Sequence, residues 1–284
     1  MKNTKKNISI EKLHPFENHP YKVQDNEEMD ALAESIKAHG VVSPIIVRPL
    51  ENTADEYEII SGHRRVMASR KAGITEVPAL VVSLDRNAAA IVLVDSNLHR
   101  EHILPSEKAF AYKMKLDAMK HQGERVDLTS SQVGTKLRAD EILAQQAGSS
   151  RNQVQRYIRL TELIPELMDM VDEKKIALNP AYELSFLKKE EQVDLLDAMD
   201  SEQATPSLSQ AQRLKKYSQE GHLTLDMMRV IMGEEKKSDL DRVTFTSDTL
   251  RKYFPKSYTP QRMQETIIKL LEAWQKKRQR DQER

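Results

Sequence analysis

Apolar and polar residues change period along this chain, and the changes mark its elements. Residues 8–13 alternate apolar with polar side chains, the period of a half-buried strand. His14-Pro15-Phe16-Glu17-Asn18-His19-Pro20 is rich in turn formers. From Asp25, a candidate cap, Met29, Leu32 and Ile36 recur at helical spacing as far as His39, and Gly40 closes the helix. Pro44 leads into the strand Ile45-Ile46-Val47-Arg48. A polar turn over residues 51–56 precedes a second strand, Tyr57-Glu58-Ile59-Ile60, and residues 77–82 form another. Residues 86–98 read as a helix, and Pro105 suits the first turn of one that runs to Gln122. Strands and helices mixed without regular βαβ spacing predict an α+β domain over residues 8–122, preceded by a flexible basic tail, 1–7.

Beyond the polar connector at 123–129 the pattern is almost wholly helical. It predicts an all-α domain over 123–233, with a weak boundary near Pro206. A charged linker at 234–241 opens a C-terminal region, 234–284, in which residues 245–250 are ambiguous and Thr259-Pro260 begins a last helix. In that helix Met263, Ile267, Leu270 and Trp274 are spaced four, three and four, and Ile268 and Leu271 widen the stripe. The spacing fits a seam for a partner helix, and so a homodimer, or packing on its own domain.

Composition narrows the classes. The 284 residues are 39% hydrophobic and 31% charged, which fits two or three helix-rich domains. The absence of cysteine excludes disulfides, thiolate metal sites and cysteine nucleophiles. The eight histidines show no metal-ligand spacing, so no metal site is expected. No apolar run suits a membrane span or a signal core, which places the protein in the cytoplasm, associated with the nucleoid if it binds DNA. The zero net charge hides local asymmetry: residues 149–160 hold three arginines and no acid, whereas residues 161–204 hold 12 acids against 4 lysines.

Three stretches carry chemistry. Between the Tyr57 strand and the helix that follows lie Ser61-Gly62-His63-Arg64-Arg65. A strand-to-helix turn aims free N–H groups and the positive helix end at one point, glycine permits close approach, and guanidinium forks match phosphate oxygens. The stretch fits a phosphate-binding corner; a surface turn with solvated arginines fits the same residues. Asn97 and Arg100 lie three apart and share a face on a helical turn, suited to a phosphate or to simple capping. Residues 141–158 have helix-turn-helix spacing, with Ala144 at the crossing and Gly148 in the turn. Ile142, Leu143, Ala147, Val154, Tyr157 and Ile158 fit one core. Arg151, Asn152, Gln155, Arg156 and Arg159 then face outward with the donors that read base edges, and Ser149 and Ser150 stand at the helix start as caps or phosphate contacts.

Residues 8–160 resemble the ParB partition family, in the ParB/RepB style of plasmids and mobile elements. Ser61-Gly62-His63-Arg64-Arg65-Val66-Met67-Ala68 looks like its Thr-Gly-Glu-Arg-Arg-x-x-Ala box, Ser96-Asn97-Leu98-His99-Arg100-Glu101 like its Glu-Asn-x-x-Arg box, and Gly40-Val41-Val42-Ser43-Pro44-Ile45 like its Gly-Leu-x-x-Pro-Ile turn. The resemblance implies a ParB/sulfiredoxin-like N-terminal domain and a helix-turn-helix domain. It further implies a dimeric clamp on double-stranded DNA at a centromere-like site, loaded with CTP and Mg2+ and served by a ParA-type ATPase. Ser61, Gly62, His63, Arg64 and Arg65 would then hold the triphosphate, and Asn97 and Arg100 would complete the pocket. The N-terminal lysines Lys2, Lys5 and Lys6 would meet the ATPase or simply be solvated.

Two departures matter. His63 and Ser96 stand where the family has glutamates, the second of them linked to nucleotide turnover. Serine is a poor general base beside a carboxylate, so no catalytic residue is expected and any CTP turnover would be slow, unless Asp95 substitutes. His63 could donate to phosphate when protonated, or be a plain turn residue. The competing readings are a helix-turn-helix transcription regulator or nucleoid-occlusion protein on the same scaffold, and an enzyme on the related sulfiredoxin-like fold. The last lacks both a cysteine and an acidic metal cluster.

Overall fold

A computed structural model describes residues 4–51, 53, 55–98, 100, 102–126, 138–234, 249–250, 252–255 and 257–282. The chain divides into two compact units, Met1–Glu234 and Glu235–Arg284.

The first unit begins with a five-stranded sheet in the order β1-β5-β3-β4-β2. The strands are β1 (Thr4–Ser9), β2 (Leu13–Pro15), β3 (Ile45–Pro49), β4 (Tyr57–Ser61) and β5 (Glu76–Val81). β1 runs antiparallel to β5, β3 parallel to β5 and antiparallel to β4, and β2 parallel to β4. Helices α1 (Glu27–His39), α2 (His63–Lys71), α3 (Arg86–Asp95) and α4 (Pro105–Val126) complete this part. β4 shows why the sheet is covered on both faces. Its side chains alternate sides: Ile59 joins the cluster of Ile45, Val47, Val77 and Val66 of α2, whereas Ile60 packs with Leu93 and Val94 of α3 and Ala111 of α4. On α1, Met29, Ala33 and Ile36 are buried and meet Ala68 of α2.

Two expectations change at the N-terminus. The basic tail is strand from Thr4 onward, because its backbone pairs with β5 while its first four side chains stay exposed. No apolar alternation over residues 4–7 signals this pairing; the first buried side chain of β1 is Ile8. The strand expected over residues 8–13 is split by a 3-10 turn at Ile10–Lys12. Asn26, not Asp25, caps α1, accepting the Met29 N–H at 3.2 Å; Asp25 instead pairs with Lys71 at 2.5 Å.

The rest of the unit is helical: α5 (Ala139–Gln146), α6 (Arg151–Leu160), α7 (Pro165–Asp172), α8 (Leu178–Leu184), α9 (Lys189–Ser201), α10 (Leu208–Gln219) and α11 (Leu225–Met232). α4 serves both halves. Its Ala111 and Ala118 face α3, its Tyr112 and Leu116 pack on Leu143 and Val154 of α5 and α6, and its Ala109 enters the α7–α11 core. Lys115 is 1% exposed on α4; its ammonium meets Asp95 of α3 and Gln146 of α5, the latter at 2.5 Å. A buried ammonium costs heavily unless paired, so this contact ties three helices together.

The second unit contains α12 (Pro260–Gln282), whose Thr259 accepts the Arg262 N–H at 3.3 Å. Met263 is buried and Ile267 half-buried, while Leu270, Leu271 and Trp274 stay exposed. Most of the 234–241 linker and residues 245–248 lie outside the described residues.

One buried ion pair anchors the sheet. Arg48 Nε lies 2.6 Å from Glu58 Oε2, with both side chains 6% exposed, and Glu58 Oε1 accepts the Glu17 N–H at 3.2 Å. Removing one partner of such a pair strands the other charge. Arg48→Ala is therefore expected to cost about 3–5 kcal/mol in urea unfolding; a loss below about 1 kcal/mol would mean that the pair behaves as a solvated one.

Candidate nucleotide site and nucleic-acid interface

Gly62 joins β4 to α2 with φ 108°, in the left-handed region. A Cβ there would lie 2.7 Å from Ile45 Cγ2, so backbone conformation and contact both demand glycine. The turn opens α2 with no side-chain cap and no acid in its first turn. Its first N–H groups and the positive helix end are thus left for an anion. Arg65 Nη1 donates to the Ser43 and Pro44 carbonyls at 2.5 and 2.8 Å, fastening the Gly40–Pro44 turn to this corner. Burial lowers the Arg65 pKa, though a guanidinium stays charged. Arg64 is half-buried and its Nη2 meets Glu28 Oε2 at 3.0 Å.

The end of α3 faces the same place. Asn97 Nδ2 donates to the Leu93 carbonyl at 2.9 Å and to Ser96 Oγ at 3.1 Å. Its Oδ1 accepts from Arg100 Nη1 at 3.4 Å. A cavity of about 180 Å³ is lined by Ser61, Gly62, His63, Arg64, Arg65, Asn97 and Arg100, together with His19, Tyr21, Lys22 and Val23. A second, of about 490 Å³, shares Lys22, Arg64 and Arg100 with it and adds Gln24, Asn26, Glu28, His102 and Leu104. The structure therefore brings the two distant basic segments to one pocket. Sequence reasoning missed the 19–24 loop, whose turn residues carry no motif and reach the pocket only through tertiary packing. Among the described residues no group of three or more His, Asp or Glu is placed to hold a metal ion.

The second basic surface lies on α5 and α6. Gly148 has φ 59°, and Ser150 caps α6 by accepting the Gln153 N–H at 3.2 Å. Ser149 Oγ donates to Gln153 Oε1 at 3.0 Å. Asp140 of α5 accepts from Arg151 Nε at 2.6 Å and from Gln155 Nε2 at 3.1 Å, which fixes both side chains on the exposed face. Asn152 is exposed beside them, and Arg156 Nη1 meets Asn179 Oδ1 at 3.0 Å. Arg159 departs from expectation. It turns inward onto α8, donating to the Ser185 carbonyl at 3.0 Å with its guanidinium 4.3 Å from the Phe186 ring centroid. Helical spacing within α6 cannot reveal a neighbour that folds over its end.

Residues 1–98 match the ParB N-terminal domain and residues 103–207 the ParB HTH domain. The nucleoid occlusion protein of Geobacillus thermodenitrificans is 32% identical over 212 residues, covering 74% of this chain and 68% of that protein. This chain belongs to the ParB family. The nucleoid occlusion protein of Listeria innocua serovar 6a is 34% identical over 194 residues, covering 68% of this chain. The chain spans 62% of that relative's length. A C-terminally truncated chromosome-partitioning protein ParB from Caulobacter crescentus, complexed with CTP-gamma-S, is 27% identical. The likeness covers 69% of this chain and 99% of that one at a TM-score of 0.33, too low to carry a structural argument. Among the described residues no helix is long and apolar enough to cross a membrane.

Both departures from the ParB boxes now have surroundings. Ser96 Oγ donates to the Leu93 carbonyl at 2.8 Å, and Asp95 is committed to Lys115. Neither leaves a free carboxylate at the second box. The His63 ring lies against that of His19, tilted by 44° with centroids 3.8 Å apart, and its Nε2 accepts the Phe16 N–H at 3.5 Å. Burial, and then the neighbouring His19, push its pKa down to about 3. The imidazole of the ligand-free chain is therefore neutral near pH 7, and the His63 backbone N–H lies in the uncapped first turn of α2. Because the folded value lies below the ordinary one, the unfolded chain takes up this proton first as pH falls. The stability His63 contributes is complete above pH 6.5 and is lost between there and about 3. Urea unfolding should show a slope approaching about 1.4 kcal/mol per pH unit in that window, reduced in His63→Gln; an unchanged slope in the variant would place the proton elsewhere.

Proposed function

We propose that this ParB-family chain is a DNA-binding partition protein whose N-terminal pocket takes CTP and whose closure as a dimeric clamp depends on it. The observation that carries the reading is the convergence of Gly62, Arg64 and the first turn of α2 with Asn97 and Arg100 on one pocket. Free N–H groups and several cations at one point suit a triphosphate. The choice of cytidine rests on family membership. Within the described pocket Glu28 is the lining carboxylate, and it is engaged by Arg64. Mg2+ would therefore arrive on the phosphates, neutralising their charge, while the protein orients them. With Ser96 in the second box and Asp95 tied to Lys115, turnover is slow.

The DNA reader in this proposal is the exposed face of α6, with Asn152 open to solvent, Arg156 resting on Asn179, and Ser149 and Ser150 at the phosphate backbone. Arg151 and Gln155 are held ready by Asp140. Dimerisation falls to the exposed Leu270, Leu271 and Trp274 stripe of α12. A ParA-type ATPase would meet the exposed Lys5; Lys6 is engaged by Tyr57 and Asp55, and Lys2 lies outside the described residues. Nucleoid occlusion is the second reading, favoured by the names of the relatives. It uses the same clamp at DNA sites dispersed over the chromosome.

Calorimetry with CTP, ATP, GTP and UTP, with and without cognate DNA, tests the core. CTP alone should bind, and Arg64→Ala and Arg100→Ala should each weaken it by about 1.5–3 kcal/mol, the worth of a charge-assisted bond. Equal binding of all four nucleotides, or none, would reject the CTP assignment.

A further inference from the structure

Lys22 stands in the loop before α1 and lines both parts of the pocket, beside Arg64 and Arg100. Its position is built. The Lys22 N–H donates to Glu107 Oε1 at 2.8 Å, and Glu107 Oε2 accepts the Leu104 N–H at 3.0 Å, so the start of α4 holds the loop in place. The side chain is 53% exposed, and its ammonium reaches across to α7, 3.5 Å from Asp169 Oδ1 and 3.4 Å from Asp172 Oδ2.

The two carboxylates differ. Asp172 already accepts from Ser106, at 2.9 Å from its N–H and 2.5 Å from its hydroxyl. Asp169 is 63% exposed and Lys22 is its ion-pair partner. Both contacts to Lys22 are long for charge-assisted bonds, and such exposed pairs contribute little. The pocket is meanwhile short of uncommitted cations: Glu28 holds Arg64, two carbonyls hold Arg65, and His63 is neutral.

We propose that Lys22 is a third phosphate-binding cation of this pocket, shared with α7: a bound triphosphate draws its ammonium away from Asp169 and Asp172. The nucleotide and the helical half thus compete for one side chain. The inference rests on the CTP reading of the pocket. A polyphosphate outcompetes the carboxylates because it already sits between Arg64 and Arg100 and presents several oxygens, whereas α7 offers one exposed carboxylate and one already bonded. Occupancy then removes a tie between the loop and α7.

The test is calorimetry of the full chain with CTP and CMP at fixed ionic strength. Lys22→Met should weaken CTP about tenfold or more, and CMP much less. Asp169→Asn should tighten CTP up to about fivefold, because it removes the competitor. Asp169→Asn added to Lys22→Met should change nothing further, and Lys22→Arg should keep most of the affinity. Thermal unfolding of each variant confirms that it is folded. Wild-type affinity for CTP in Lys22→Met would overturn the proposal, as would an Asp169→Asn effect that persists without Lys22. Absence of CTP binding by the wild-type chain would instead reject the pocket assignment, and this inference with it.

Discussion

The corner between β4 and α2 sets the terms for the rest of the molecule. Gly62 can hold its left-handed conformation against Ile45 only because it has no Cβ. That close approach points the start of α2 into the pocket, where the first-turn N–H groups have no intrahelical acceptor. Arg65 then clasps the Ser43 and Pro44 carbonyls, so β3, its leading turn and α2 form one rigid edge. Everything proposed for the nucleotide depends on this edge staying fixed while Arg64, Arg100 and Lys22 remain able to change partners.

α4 carries the second constraint. Sheet-covering helix, helix-turn-helix and distal helices all pack on it. Lys115 adds a charged joint, bonded to Asp95 of α3 and Gln146 of α5. Asn97 and Arg100 follow α3 directly, so the pocket and the α5–α6 pair are separated by one helix and one buried ammonium. Such a joint resists gradual deformation, because a buried charge deprived of a partner is costly. Contacts at the rim are of another kind: Lys22 to Asp169 and Arg64 to Glu28 are exposed, screened and easily exchanged.

Much of this was legible in the sequence, where local chemistry and structure coincide. α5 and α6 lie where the spacing predicts a helix-turn-helix, and the glycines at 40, 62 and 148 mark real left-handed positions. The residues picked for the pocket all line it, because a strand-to-helix turn with two arginines is a local signal. The failures share a physical cause. β1 exists through backbone pairing with a strand far along the chain, Arg159 is claimed by α8, and His63 is neutral because the Phe16–Tyr21 loop covers it. Lys22 carries no motif at all. In each case the deciding partner is tertiary and leaves no periodic trace.

The most direct measurement is a CTP titration followed by backbone amide NMR of the full chain. The account predicts that the amides of Gly62, His63, Arg64 and Arg65 shift together with those of Asn97 and Arg100, at one common affinity. Saturable binding that leaves those amides unmoved, and shifts others instead, would contradict the claim that the two basic segments grip the nucleotide jointly.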